Sequence, residues 1–112
     1  YNRLFYALFR ESLQPFLISW IKYDPQKEIG KLVIPVLIVN GSRDIQVPVG
    51  DADLLHKANG NSKLEIIRDM NHVFRNVTVD DRAKNIETYY NIGLPIMKEV
   101  VKVIINFVNS VK

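Results

Sequence analysis

Hydrophobic positions recur along this chain with two different periods. Leu4, Phe5, Leu8 and Phe9 fall on one face at helical spacing and predict a helix over residues 2–11. Pro15 interrupts it. Proline is tolerated at a first helical position, where its missing N–H would be unpaired anyway. A second helix is therefore expected over 15–22, with Phe16 and Trp20, and Leu17 and Ile21, paired at i, i+4. Asp24-Pro25, an N-cap acid followed by an N1 proline, then opens a short turn through Glu28. The pattern changes at residues 33–39, V-I-P-V-L-I-V, which are unbroken, apolar and rich in β-branched side chains. This predicts a strand buried on both faces, the parallel-sheet pattern. Pro35 sits near its start, where a lost ladder bond is tolerable, and Asn40-Gly41-Ser42 ends it. Val49, Ala52, Leu54 and Leu55 give a helix over 49–58, stopped by Asn59-Gly60. Residues 63–68, K-L-E-I-I-R, read as a second, less buried strand. Strand, helix and strand within about 35 residues make a βαβ unit. Residues 74–93 show no clear period and read as loop. Pro95 opens a last helix, with Met97, Val100, Val101, Ile104, Val108 and Val111 as its core stripe and Lys98, Lys102 and Asn109 outside.

Composition narrows the possibilities. The 112 residues suffice for one small domain, with helices over 1–32 ahead of a strand-and-helix part over 33–112. The chain begins at Tyr1, not at a methionine, which reads as a piece of a longer protein and so as a partial domain. At 47% hydrophobic and 24% charged it is globular in character. The net charge of +3 is mild and scattered, so nucleic acid is not an expected partner. Without cysteine there is neither a disulfide framework nor a cysteine-based metal site. No run of about 18 apolar residues predicts a membrane span. No metal or organic cofactor is expected.

Topology brings two loops together. A βαβ crossover is nearly always right-handed and leaves its strands parallel, so the loops after both strands emerge at one sheet edge. That carboxyl edge is where open α/β sheets place their sites. The first loop runs from Asn40 to Pro48 and contains Asp44; the second, Asp69-Met70-Asn71-His72-Val73-Phe74, contains His72. A carboxylate accepting a bond from an imidazole fixes its tautomer and stabilises the imidazolium. The imidazole can then take a proton from a serine and return it to a leaving group. A plainer reading makes Asp44 a turn residue, since Asp bonds locally in loops, and His72 a structural loop histidine. Asp69, three residues before His72, is a second candidate acid. Arg43 either pairs with Asp44 or faces solvent. His56, on the last turn of its helix, reads as solvent-facing beside the favourable dipole end. Asp51 and Asp53 suit the start of the same helix, and Asp69, Asp80 and Asp81 lack a spacing that selects a metal. Trp20 and its neighbouring phenylalanines read either as core or as a lid over an acyl pocket.

At these residues the chain resembles a family. The segment I-P-V-L-I-V-N-G-S-R-D over 34–44, followed by Val47-Pro48, resembles the penultimate-strand region of α/β-hydrolases, where an apolar strand ends in Gly-x-x-Asp. S-K-L-E-I-I-R-D-M-N-H over 62–72 resembles their last strand and histidine loop, and 12–24 resembles the helix before this strand in an esterase or lysophospholipase-like branch. The likeness covers most of residues 12–74, and the closing helix fits the family's last one. It implies Asp44 as triad acid and His72 as base, in the C-terminal βαβ-plus-helix part of a hydrolase sheet, preceded by lid or pre-strand helices. The family carries its nucleophile on a Gly-x-Ser-x-Gly elbow. Ser12, Ser19, Ser42, Ser62 and Ser110 are all outside such a motif. The family's order of Ser, Asp, His places the serine, with the oxyanion-hole amides, upstream of this chain.

Two expectations follow. In one, the parent protein hydrolyses an ester or related acyl substrate with its own serine, Asp44 and His72. In the other, the chain is a non-catalytic α/β module that associates through its exposed sheet edge. Either way a strand stripped of neighbours invites pairing, with the N-terminal remainder of the hydrolase or with further copies of this chain.

Overall fold

A computed structural model of the protein describes residue 7 and residues 9–112. Most of the helix expected over 2–11, including Leu4, Phe5 and Leu8, lies outside the described residues. A 3-10 turn at Glu11–Leu13 leads into helix α1 (Gln14–Ile21), with Pro15 in its first turn. The Phe16 and Trp20 rings meet on this helix, their centroids 5.0 Å apart. Both are more than half exposed, so neither is core among the described residues. Asp24 then caps helix α2 (Pro25–Gly30), its carboxylate accepting the Gln26 N–H at 3.0 Å. The Asp-Pro signal thus opens a true short helix.

The next three elements are β1 (Leu37–Gly41), α3 (Val49–Ala58) and β2 (Lys63–Ile67). β1 and β2 pair in parallel, Leu37 opposite Lys63 through to Gly41 opposite Ile67. Helix α3 has the bounds its apolar spacing predicts. The first strand does not: it starts four residues later than expected and runs on through Asn40 and Gly41. Proline has no N–H for a ladder and restricts the residue before it. Pairing accordingly begins only after Pro35, where the Val36 carbonyl accepts the Lys63 N–H at 2.8 Å. Val33 is 98% exposed, and along β1 itself only Ile38, Asn40 and Gly41 are buried, so burial on both faces is not met. The cause is the sheet's width: with two strands, one edge of β1 has no neighbour among the described residues.

Residues 74–93 are not all loop. They contain helix α4 (Arg82–Tyr90), whose N-cap is Asp81 and whose buried residue is Asn85. Its inward position is polar, so the helix leaves no apolar stripe to read. The last helix, α5 (Lys98–Ser110), begins after Met97, three residues beyond Pro95. Val100 is buried against Ile67 and Met70, with Val39, Met97 and Val103 packed around them. Of the expected stripe, Val101, Ile104, Val108 and Val111 stay at least 40% exposed. The sheet is too narrow to meet the whole apolar face of α5, and only the Val100–Val103 side of it finds strands. The molecule is thus a mixed α/β structure in which a two-stranded parallel sheet carries helices. Among the described residues, no helix is long and apolar enough to cross a membrane.

Candidate functional site

The carboxyl ends of β1 and β2 are knitted together before any side chain enters. The ladder continues past the strands: Ser42 N–H donates to the Ile67 carbonyl at 3.0 Å, and Arg43 N–H to the Met70 carbonyl at 2.9 Å. The Ser42 hydroxyl accepts the Asp69 N–H at 2.8 Å. Asp69 takes a left-handed conformation, φ 59°, turning the chain back toward β1; Asp tolerates that region better than most residues. Gly41 lies hard against this turn. A Cβ there would collide with the Met70 carbonyl, so the close approach of the two loops requires glycine.

Asp44 and His72 meet in this frame. His72 Nδ1 lies 2.9 Å from Asp44 Oδ2, across 28 positions of sequence. The other carboxylate oxygen, Oδ1, accepts the Gln46 N–H at 2.8 Å and the Val47 N–H at 2.9 Å. The turn role and the histidine pairing therefore coexist, one on each oxygen. The Asp44 side chain is 6% exposed and that of His72 40%. Burial is the largest influence on the Asp44 carboxyl and pushes its pKa up. The Val47 N–H, the His72 bond and the Gln46 N–H together outweigh it and hold the carboxyl below its ordinary value. Asp44 is thus ionised at neutral pH. An ionised carboxylate can only accept, so Nδ1 of His72 carries the hydrogen and Nε2 is left as the basic nitrogen. The ring borders a cleft of about 280 Å³ with Val39, Gly41, Met70 and Phe74 on its walls.

The other candidates lie elsewhere. Asp69 bonds neither ring nitrogen; it faces Arg43 at 3.7 Å and Arg68 at 3.6 Å. Arg43 pairs with Asp69 and, at 3.2 Å, with Asp80, not with Asp44. His56 is not solvent-facing as its position on the helix suggests. It is half-buried, with Nδ1 2.8 Å from Ser62 Oγ. The Ser62 hydroxyl donates to the Asn59 carbonyl at 2.7 Å. Its hydrogen is committed, so His56 must donate to Ser62 and cannot act as its base. Among the described residues, no group of acidic or histidine side chains could hold a metal ion.

Two residues escaped the sequence reading. Asn71 is fully buried and Asn85 almost so. Asn71 Nδ2 donates to Asn85 Oδ1 at 3.0 Å and to Thr88 Oγ1 at 2.7 Å, and Asn71 Oδ1 accepts the Arg75 N–H at 2.9 Å. Asn85 Nδ2 donates to the Arg43 carbonyl at 2.7 Å. Asn71 adjoins His72, which was a positional signal; nothing in the sequence around Asn85 marks it except the N-cap Asp81 four residues earlier. Asn40, buried in β1, has Nδ2 3.5 Å from Asp44 Oδ2 and 3.3 Å from the Val47 carbonyl. Compared with known proteins, the chain matches no protein-family model and no curated protein sequence.

Proposed function

We propose that this chain is the acid-and-base part of a serine hydrolase acting on an ester or related acyl substrate, in the α/β-hydrolase manner, with a serine from outside these residues as nucleophile. The observation that carries the reading is the buried, ionised Asp44 accepting a bond from Nδ1 of a half-exposed His72. That arrangement presents a basic Nε2 of fixed tautomer beside an open cleft, as general-base work on a hydroxyl requires. Nε2 would take the serine proton as Oγ attacks the acyl carbon and return it to the departing alkoxide, while Asp44 steadies the imidazolium. The parallel strands with both loops at their carboxyl ends further support it.

The test is hydrolysis of short-chain p-nitrophenyl esters by the full-length protein, with a fluorophosphonate to mark the nucleophile. The expected outcome is turnover that His72→Ala abolishes and a labelled serine outside residues 1–112. Turnover that survives both His72→Ala and Asp44→Asn would sink the proposal.

A second reading is favoured by one specific observation. Apolar side chains along α5 and in residues 32–34 are exposed, and one edge of β1 has no strand neighbour among the described residues. A non-catalytic module that associates through this edge has the same surface. It gains if the full-length protein forms stable complexes but neither turns over esters nor takes the label.

A further inference from the structure

We infer that Asn85 is a positioning residue that sets the Asp44–His72 geometry by tying the two loops to helix α4. This rests on the reading of that pair as the working acid and base.

The bonding allows no other orientation of the amides. The Arg43 carbonyl can only accept, so Asn85 must turn Nδ2 toward it and Oδ1 away. Oδ1 then requires a donor, and Asn71 Nδ2 supplies it at 3.0 Å. Asn71 Oδ1 is thereby directed at the Arg75 N–H, which it accepts at 2.9 Å. The result is one bonded path from the Arg43 carbonyl through Asn85 to Asn71. Arg43 is the residue before Asp44, and Asn71 is the residue before His72. Each end of the path thus grips the backbone or side chain next to one partner of the pair. Asn85 is 3% and Asn71 0% exposed, so water does not compete for the bond between them. Asn85 does not line the cleft beside His72, and its action is on where Asp44 and His72 stand. Thr88 belongs to the same cluster but not to the path: its hydroxyl accepts from Asn71 and donates to the Asn85 carbonyl.

That difference provides the test. In the full-length protein with ¹⁵N-labelled histidine, the neutral His72 ring of the native chain should be the Nδ1–H tautomer. Asn85→Ala removes both ends of the bridge. Asn85→Asp keeps the size and the acceptor for Asn71 but sets a carboxylate oxygen against the Arg43 carbonyl, and it serves if the alanine variant does not fold. Thr88→Val leaves the path intact and controls for lost stability. Both Asn85 variants should shift His72 toward the Nε2–H tautomer, and Thr88→Val should not. Ester turnover should fall about tenfold to a hundredfold in kcat with KM little changed, the scale of a displacement near 1 Å. A folded Asn85→Asp with the native tautomer would overturn the inference. So would a Thr88→Val shift as large as that of the Asn85 variants at equal loss of Tm. If the tautomer shifts but the native protein hydrolyses no acyl substrate, the positioning stands and the hydrolase reading falls. A native His72 without the Nδ1–H tautomer would defeat both.

Discussion

Asp44 divides its work between its two oxygens. Oδ1 closes its own loop through the Gln46 and Val47 N–H groups, and Oδ2 receives His72. Because these bonds need the ionised form, folding lowers the Asp44 pKa despite burial. A lowered folded-state pKa adds stability above the unfolded carboxylate range, and that share is lost as pH falls through the folded value. The urea midpoint should therefore hold from neutral pH to about 5 and drop below roughly pH 4. Asp44→Asn should flatten part of that drop, and an unchanged acid profile in the variant would contradict the assignment. In the full-length protein Asp44→Asn should also slow ester turnover on the order of ten-thousand-fold, by analogy with the triad acid of a serine protease. Near-normal turnover would redirect attention to another carboxylate. Gly41→Ala forces a methyl into the Met70 carbonyl. We expect a loss of about 1–3 kcal/mol in urea unfolding, the scale of overpacking. At this scale the pair was legible, because two loops at one sheet edge had to approach each other. Asn71 and Asn85 were not, because a buried amide obeys hydrogen-bond satisfaction and not apolar periodicity.

Among the elements, α3 could be placed closely because four apolar positions and an Asn-Gly stop agreed. Helix α4 could not, since its buried side chain is the polar Asn85 while the apolar Ile86 stays exposed, the reverse of an apolar stripe. The signal present was its cap: Asp81 accepts the Lys84 N–H at 3.1 Å. Asp81→Ala should cost about 1 kcal/mol of stability, as capping losses do. It should also raise hydrogen exchange selectively across Arg82–Tyr90; uniform exchange over the whole chain would show that α4 is not held by its cap. The strand boundary at Leu37 escaped the pattern for a different reason. Hydrophobicity marks what could be covered, whereas a strand begins where a partner's backbone is in reach.

The whole molecule exposes 8781 Å² of surface, against about 6,300 Å² for a monomeric protein of its mass. Its radius of gyration is 16.9 Å, where a closed domain of this length has about 13 Å. Much of the uncovered area is apolar: Val33, Ile34, Ile104, Ile105 and Val108 are all at least 46% exposed. The surplus of roughly 2,500 Å² is in the range that obligate interfaces bury. The 112 residues on their own should accordingly sediment as a dimer or larger. Ile104→Glu with Val108→Glu should reduce that association while leaving the His72 tautomer unchanged. A stable, well-folded monomer would count against this account of the surface.

The crossover that joins the strands has an evolutionary corollary. Asp44, His72, the backbone bonds that align them and the glycine that lets them approach all lie on one uninterrupted stretch, from Val36 to Arg75. A recombination or gene-fission event on either side of that stretch would carry the pair away whole. The clamp from Asn85 is encoded only ten residues further on, so a donor segment reaching Tyr90 would transplant Asp44, His72 and their alignment in a single exchange.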